Sequence, residues 1–247
     1  MASFVGLFGF ILVACGPSVI SAQAIIAGQA DRLLSQVNTM VETVNHDAAT
    51  YKTELQGLFD ELSETTASNL ETIDGAVKEF NDNFEAALAS LVHTVHPSED
   101  VNSCTSLADP LRLRSDAILE ESDSCMKREV TQASAEKAIT EVYVNSQLST
   151  LDHMQSMAQN CMTSYENSEQ TTSDASQAFA CVQIIHMSVS SLVVRFELVI
   201  DIAVSRSLYD GYQSRVAACA NTASSGITAL IADSEIVYEN IDACLRA

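Results

Sequence analysis

Six of the seven cysteines are placed symmetrically about one point of the chain, and this constrains the fold more than any other feature. Paired from the inside outwards, they are Cys161 with Cys181, Cys125 with Cys219, and Cys104 with Cys244. The midpoints of these pairs fall at residues 171, 172 and 174. If the chain reverses there, each pair lies on neighbouring antiparallel helices, where the Cα separation of a disulfide, about 5.5–6 Å, is reachable. The placement favours three nested disulfides.

Two alternatives to the nested arrangement stay open from the sequence. Consecutive cysteines such as Cys104 and Cys125 would lie about 30 Å apart on one straight helix, so their pairing needs a bend, which Pro110 could supply. The recurrence of cysteine at 104, 161 and 219 also fits a duplicated helical unit.

Turn-forming residues are scarce, since the 247 residues include three prolines and eight glycines. A protein built of many short strands needs more turn chemistry than this. Hydrophobic residues make up 47% of the chain, which is enough for a packed core. The composition therefore predicts an all-α protein with long helices.

The N-terminal segment has the features of a secretory signal. Residues 1–24 carry no charged side chain, include an apolar run over 4–15, and end in the small-x-small pattern Ala22-Gln23-Ala24. We predict a cleaved signal peptide, 1–24, and a secreted, extracellular protein. Because that compartment is oxidising, the six cysteines of the mature chain are expected to form structural disulfides.

Residues 25–97 are predicted to form an acidic amphipathic region, either one long helix or a helix pair. Apolar residues repeat every three or four positions, and this phase slips near 65–69. The apolar stripe comprises Val37, Val41, Val44, Ala48, Tyr51, Leu55, Leu58 and Leu62, and then Leu70, Ile73, Val77, Phe80, Phe84, Ala87 and Leu91. The stripe allows three interpretations: packing within the chain, self-association as a coiled coil, or lipid binding.

Residues 98–247 hold all the remaining cysteines and are predicted to form a disulfide-cross-linked four-helix bundle or an elongated antiparallel helical hairpin. Four segments are expected, at about 106–128, 131–166, 175–210 and 212–245. Gly211 suggests the last break. Apolar residues over 182–204 cover more than one stripe, which predicts a helix buried between its neighbours.

Three runs in the second region resemble a known family. They are similar to the helical, cysteine-containing domain of secreted insect proteins named after the tsetse fly EP protein. The runs are Phe179–Val182, Ala218–Thr222 and Tyr238–Leu245, and Cys125-Met126 and Asn160-Cys161 add to the resemblance. The resemblance covers about residues 100–247. It implies a secreted, non-enzymatic insect protein of a gut, reproductive or epithelial fluid, whereas the Glu-Pro repeats of the founding member are absent.

Charge and motifs restrict the function further. The net charge of -21 repels nucleic acids and anionic lipid headgroups, and no membrane span is expected. None of the short catalytic, phosphate-binding or dinucleotide-binding motifs occurs, so no catalytic residue, metal or cofactor is predicted. His93 and His96 are spaced as two metal ligands could be, but no third ligand converges. The acidic clusters 60–64 and 120–123 are interpreted as solvated helix faces.

The sequence therefore predicts a secreted binding or structural component of an extracellular fluid or lining, acting through its negative surface on a basic partner or on cations. Self-association through the N-terminal helix is a further possibility. The alternative is a carrier of small apolar ligands within the bundle, which the apolar residues of 182–204 suggest.

Overall fold

The computed structural model describes residues 18–94 and 101–247, and these residues form an all-α, disulfide-linked helical bundle with no strand among them. The predicted fold class is confirmed. The helices are α1 (Ser18–Thr94), α2 (Val101–Thr105), a 3₁₀ turn (Ser106–Ala108), α3 (Asp109–Glu166), α4 (Thr172–Val199) and α5 (Ile202–Arg246). The predicted signal peptide lies largely outside the described residues, and its residues 18–24 begin α1.

Two predicted helix breaks are wrong. Helix α3 continues through 128–131, and Gly211 lies inside α5, which begins at Ile202. A single helical glycine costs about 1 kcal/mol relative to alanine, and buried neighbours such as Tyr209 and Tyr212 offset that cost. The break falls instead at 200–201, where Asp201 occupies the position before α5 that favours aspartate.

Helix α1 is continuous through the phase slip at 65–69. Thr66 is buried there, on the same face as the buried Leu62 and Ile73. A polar residue therefore occupies the buried face at the point where the apolar repeat is interrupted. Most of the predicted stripe is buried within the chain, except that Leu88 takes the place predicted for Ala87. Packing within the chain is therefore the interpretation that the structure supports for this stripe.

The chain divides into two compact units, each built around three long helical segments, and the second unit also contains α2 and the 3₁₀ turn. The first unit comprises the described residues of Met1–Tyr51 together with Val142–Asp201, and the second comprises Lys52–Glu141 together with Ile202–Ala247. Each unit therefore takes residues from both sequence regions, 25–97 and 98–247.

One cluster of the first unit consists of small and medium side chains. This cluster joins Ala30 of α1, Met162 of α3, and Ala178 and Val182 of α4. Side-chain hydrogen bonds between α1 and α3 add to it, including Gln155 to Asn38 at 2.9 Å. Short side chains at these positions allow the three helices to approach closely.

The turn between α3 and α4 closes the first unit at the predicted reversal. Gln170 adopts a left-handed backbone with φ of 53°. Thr171 caps α4: its hydroxyl accepts from the Asp174 amide at 3.2 Å, while the Asp174 carboxylate accepts from the Thr171 amide at 2.9 Å. This reciprocal capping box satisfies two otherwise unpaired donors and fixes where α4 begins.

The second unit has a larger, aromatic core. Phe80 and Phe84 of α1 stack with ring centroids 5.6 Å apart, and Tyr238 of α5 lies 5.2 Å from Phe84 and donates its hydroxyl to the Phe84 carbonyl. Leu111, Leu230 and other apolar residues complete this cluster. The aromatic side chains bury more apolar area than the small residues of the first unit do.

Helix α4 differs from the expectation that it is buried on several sides. Val182, Ile185, Val189 and Phe196 are buried, but Ile184, Met187, Val194 and Leu198 are exposed. Three-helix packing covers one face of α4 only, so the excess apolar residues lie on the surface. Within the described ranges, none of the helices has an apolar stretch that would let it cross a membrane.

Candidate ligand-binding cleft in the second unit

A cleft of about 490 Å³ lies between α3 and α5 in the second unit. Six residues of each helix line it. In each set the positions advance in steps of one and three, so each set occupies one helix face. They are Ile118, Glu121, Ser122, Cys125, Arg128 and Glu129 on α3, and Arg215, Ala218, Cys219, Thr222, Ala223 and Gly226 on α5.

The two faces meet in an antiparallel register that the disulfide fixes at its middle. Cys125 and Cys219 are bonded with their Cα atoms 6.0 Å apart. At one end, Ile118 approaches Gly226 so closely that a Cβ on the glycine would lie 3.0 Å from the Ile118 Cδ1 atom. Between these contacts the lining side chains are short, such as Ser122 and Ala223, and their small volume leaves the cleft open.

The other end of the cleft carries an ion pair whose carboxylate is buried. Glu129 has a side chain only 5% exposed, and its Oε2 atom accepts a hydrogen bond of 2.6 Å from the Arg215 Nε–H. The Arg128 Nε–H donates a longer bond of 3.4 Å to Oε1. The bond from Arg215 holds the pKa of Glu129 below its usual value of 4.5, against the opposing effect of burial. Glu129 is therefore charged at neutral pH.

The two arginines combine a fixed position with access to solvent. The Arg215 guanidinium lies 4.4 Å from the centroid of the Tyr212 ring, a cation–π contact that restricts its orientation. The Arg128 and Arg215 side chains are 66% and 50% exposed. A guanidinium has four N–H donors beyond Nε–H, so this end of the cleft can bind a carboxylate.

The structure contains the three disulfides of the nested arrangement. The remaining two join Cys104 to Cys244 and Cys161 to Cys181, with Cα separations of 5.6 and 6.1 Å. Cys161–Cys181 lies in the first unit, and the other two lie in the second. Neither a bond between Cys104 and Cys125 nor a repeat of consecutive pairs is present among them.

The other sequence candidates do not assemble into a site. His93 lies exposed near the end of α1, and His96 lies outside the described residues. In the acidic cluster at 120–123, Asp123 forms an ion pair of 2.8 Å with Lys127. Over the described ranges, no group of three or more His, Cys, Asp or Glu residues is arranged to hold a metal ion.

Sequence reasoning missed Glu129, Arg128 and Arg215. One signal was available, because the buried polar residues Ser115, Ser122 and Glu129 recur every seven residues on α3, the spacing of positions that face one partner helix. A carboxylate on such a face needs a cationic partner. The sequence alone does not show that this partner comes from 86 residues further on.

The chain matches no protein family, no curated protein and no solved structure in our comparisons.

Proposed function

We propose that this chain is a secreted, non-enzymatic binding protein of an extracellular fluid, and that the cleft between α3 and α5 binds a small amphipathic molecule with an anionic head. The observation that carries the proposal is the combination of an apolar cleft with two partly exposed guanidiniums at one end. The proposal develops the alternative of a carrier of small apolar ligands, but it places the ligand in the cleft and not among residues 182–204.

The size and lining of the cleft fit such a ligand. Its volume of about 490 Å³ lies within the roughly 300–1,000 Å³ typical of small-molecule sites, which combine apolar walls with a few polar groups. Ile118, the Cys125–Cys219 disulfide and Ala223 would contact an aliphatic tail. Arg128 and Arg215 would bind the head, because a guanidinium pairs with a carboxylate through two parallel hydrogen bonds.

The charge of the whole chain, -21, opposes an anionic ligand at long range. At physiological ionic strength the Debye length is about 8 Å, so most of the distant carboxylates are screened. The guanidiniums act at direct hydrogen-bonding distance, where their attraction is not screened in the same way. Local pairing should therefore outweigh the overall repulsion.

Secretion is supported by the three disulfides, which persist in oxidising compartments, and by the signal-like residues 1–24. The resemblance to the tsetse EP-like family supplies the proposal that the fluid is an insect one. The exposed carboxylates of α1, among them Asp60, Glu61 and Glu64, would keep such a protein soluble.

The test is retention and displacement of a fluorescent long-chain fatty acid by the purified, disulfide-bonded chain. We expect saturable binding, competition by unlabelled fatty acid, and weaker competition by the matching fatty alcohol, which lacks the charge. Ala218→Phe should abolish binding, because Ala218 lines the cleft and is exposed, so that the larger ring fills the cleft without entering the core.

Arg128→Gln should weaken binding of the fatty acid about tenfold and leave binding of the alcohol unchanged, as expected for loss of one charge-assisted bond. The matched control is Lys127→Gln, which removes the same charge from the neighbouring position of α3, where Lys127 pairs with Asp123. Absence of probe binding, or binding that Ala218→Phe does not affect, would refute the proposal.

A further inference from the structure

Helix α4 of the first unit presents an apolar stripe to solvent. The stripe consists of Ile184, Met187, Ser191, Val194 and Leu198, which alternate steps of three and four and lie on one helix face. Ile184 is 62% exposed and Leu198 is 75% exposed. The buried residues Val182, Val189 and Phe196 lie on the opposite face, so packing within the chain cannot cover the stripe.

All of the stripe except Leu198 also lies in a segment with no carboxylate. Between Asp174 and Glu197 the sequence has no aspartate or glutamate, although acidic residues outnumber basic ones 33 to 12 over the chain. Two copies of a chain with net charge -21 repel each other over most of their surfaces. The α4 face is a place where two copies can approach without bringing carboxylates together.

The stripe is complementary to itself. Ser191 lies midway between Ile184 and Leu198, and Met187 and Val194 flank it almost symmetrically. We propose that the α4 stripe pairs with the same stripe of a second copy in an antiparallel, two-fold symmetric contact centred on Ser191. Ile184 of each copy then packs on Leu198 of the other, and the two small Ser191 side chains meet at the symmetry axis.

The flanking residues are compatible with this register. In this register Arg195 falls opposite Met187 of the second copy, and Glu197 falls opposite Ile185, so no like charges face each other. Met157 of α3 is also exposed, and Met154 shares a surface groove with Ile184 and Met187. These flexible methionines can widen the apolar contact on either side of the two-fold axis.

The contact is short, and this sets the expected affinity. The distance from Ile184 to Leu198 along the helix is about 21 Å at 1.5 Å per residue, which corresponds to two heptads. Interfaces of this size lie at the weak, transient end of the range. We therefore expect a reversible dimer with a dissociation constant in the micromolar to millimolar range.

The test is sedimentation velocity of the full disulfide-bonded chain over a series of protein concentrations. We expect the sedimentation coefficient to rise with concentration towards that of a dimer. Ile184→Glu should weaken the dimer at least tenfold, since each dimer gains two buried carboxylates. The control is Ile236→Glu, which places the same charge on an exposed isoleucine of α5 in the second unit and should leave dimerisation unchanged.

A second variant tests the register. In the proposed pairing, the double variant I184E/L198K brings each introduced carboxylate opposite an introduced ammonium, so dimerisation should be regained relative to Ile184→Glu. A parallel or shifted pairing predicts no recovery. Circular dichroism of each variant verifies that α4 has folded, so a misfolded variant is not mistaken for a monomer.

Three outcomes would overturn the inference: a monomer at all accessible concentrations, a dimer that Ile184→Glu does not weaken, or failure of I184E/L198K to recover. Binding of the monomer to phosphatidylcholine vesicles, lost in Ile184→Glu, would assign the stripe to lipid instead. This inference does not depend on the cleft, so Ala218→Phe should leave the sedimentation of the chain unchanged.

Discussion

The two compact units share a three-helix plan but are stabilised differently. The first unit has one disulfide between residues 20 apart, a cluster of small and medium side chains where α1, α3 and α4 meet, and neutral hydrogen bonds such as Gln155 to Asn38. The second unit has two disulfides between residues 94 and 140 apart, an aromatic core, and ion pairs that include a buried carboxylate.

This difference follows from chain connectivity. The first unit contains a local hairpin, α3 to α4, whose closure costs little entropy. The second unit brings α5 back to α3 from the far end of the sequence, so it needs stronger cross-links. Disulfides that join distant segments should therefore contribute more to stability than the one that joins neighbours, and the first of the following experiments tests this.

The largest effect is expected from removing a disulfide. In the chain-entropy account, replacing Cys125 and Cys219 by alanine should cost about 4 to 5 kcal/mol, against about 3 kcal/mol for Cys161 and Cys181. Urea unfolding of both double variants under oxidising conditions provides the measurement. An equal or larger loss for the Cys161–Cys181 variant would contradict the comparison.

The next largest effect concerns the buried carboxylate of the second unit. Arg215→Ala should destabilise the protein by about 3 kcal/mol, since it leaves Glu129 buried with the more distant Arg128 only. The double variant E129L/R215A should recover most of the loss, because an apolar side chain needs no cation there. If the double variant is as unstable as Arg215→Ala, lost packing rather than lost charge pairing explains the effect.

Acid should weaken the second unit, because two of its carboxylates have lowered pKa values in the folded state. Hydrogen bonds from Arg215 and Arg112 lower the pKa values of Glu129 and Glu85 below 4.5. A carboxyl group with a lowered pKa in the folded state stabilises it above the unfolded value, and this contribution is lost as the pH falls through the folded value. We expect the urea midpoint to fall as the pH is lowered from the unfolded value of 4.5 through the lower folded values.

Glu129→Gln should flatten this pH dependence, because the variant has no carboxyl group to titrate at that position. The exposed Glu120 on the same helix provides the control, and Glu120→Gln should retain the slope. Hydrogen exchange should show the larger loss of protection in the second unit. An unchanged slope in Glu129→Gln would show that other carboxylates control acid unfolding.

The smallest effect is expected at the turn of the first unit. Thr171→Ala removes the hydroxyl that accepts from the Asp174 amide and should cost about 1 kcal/mol. Thermal unfolding measures the loss, and the control is Ser173→Ala, which lies two positions from Thr171 and is exposed in the first turn of α4. A loss well above this would show that the reversal depends on its cap more than on its disulfide.

Most of the fold could be predicted from periodicity and from the cysteines. The stripe of α1 and the reversal near 171–174 both follow from local spacing, which the chain displays directly. The start of α5 at Ile202 could not be predicted in this way, because Gly211 is tolerated inside the helix. A glycine's cost is small enough for tertiary packing to reverse it.

The cleft could not be predicted because it depends on small side chains at positions that are far apart in the sequence. Ser122, Ala223 and Gly226 appear unremarkable in the sequence, and only the register set by Cys125–Cys219 brings them together. The surplus apolar residues of 182–204 pointed to an interior cavity, whereas Ile184, Met187, Val194 and Leu198 are exposed on α4.

The outermost bridge, Cys104–Cys244, encloses 140 residues of sequence and turns that stretch into a covalent ring. Hydrolysis of any one peptide bond inside the ring opens the backbone but releases no fragment, since both new ends stay tethered through sulfur. A digestive enzyme would have to cut at two suitably placed points before this part of the molecule came apart.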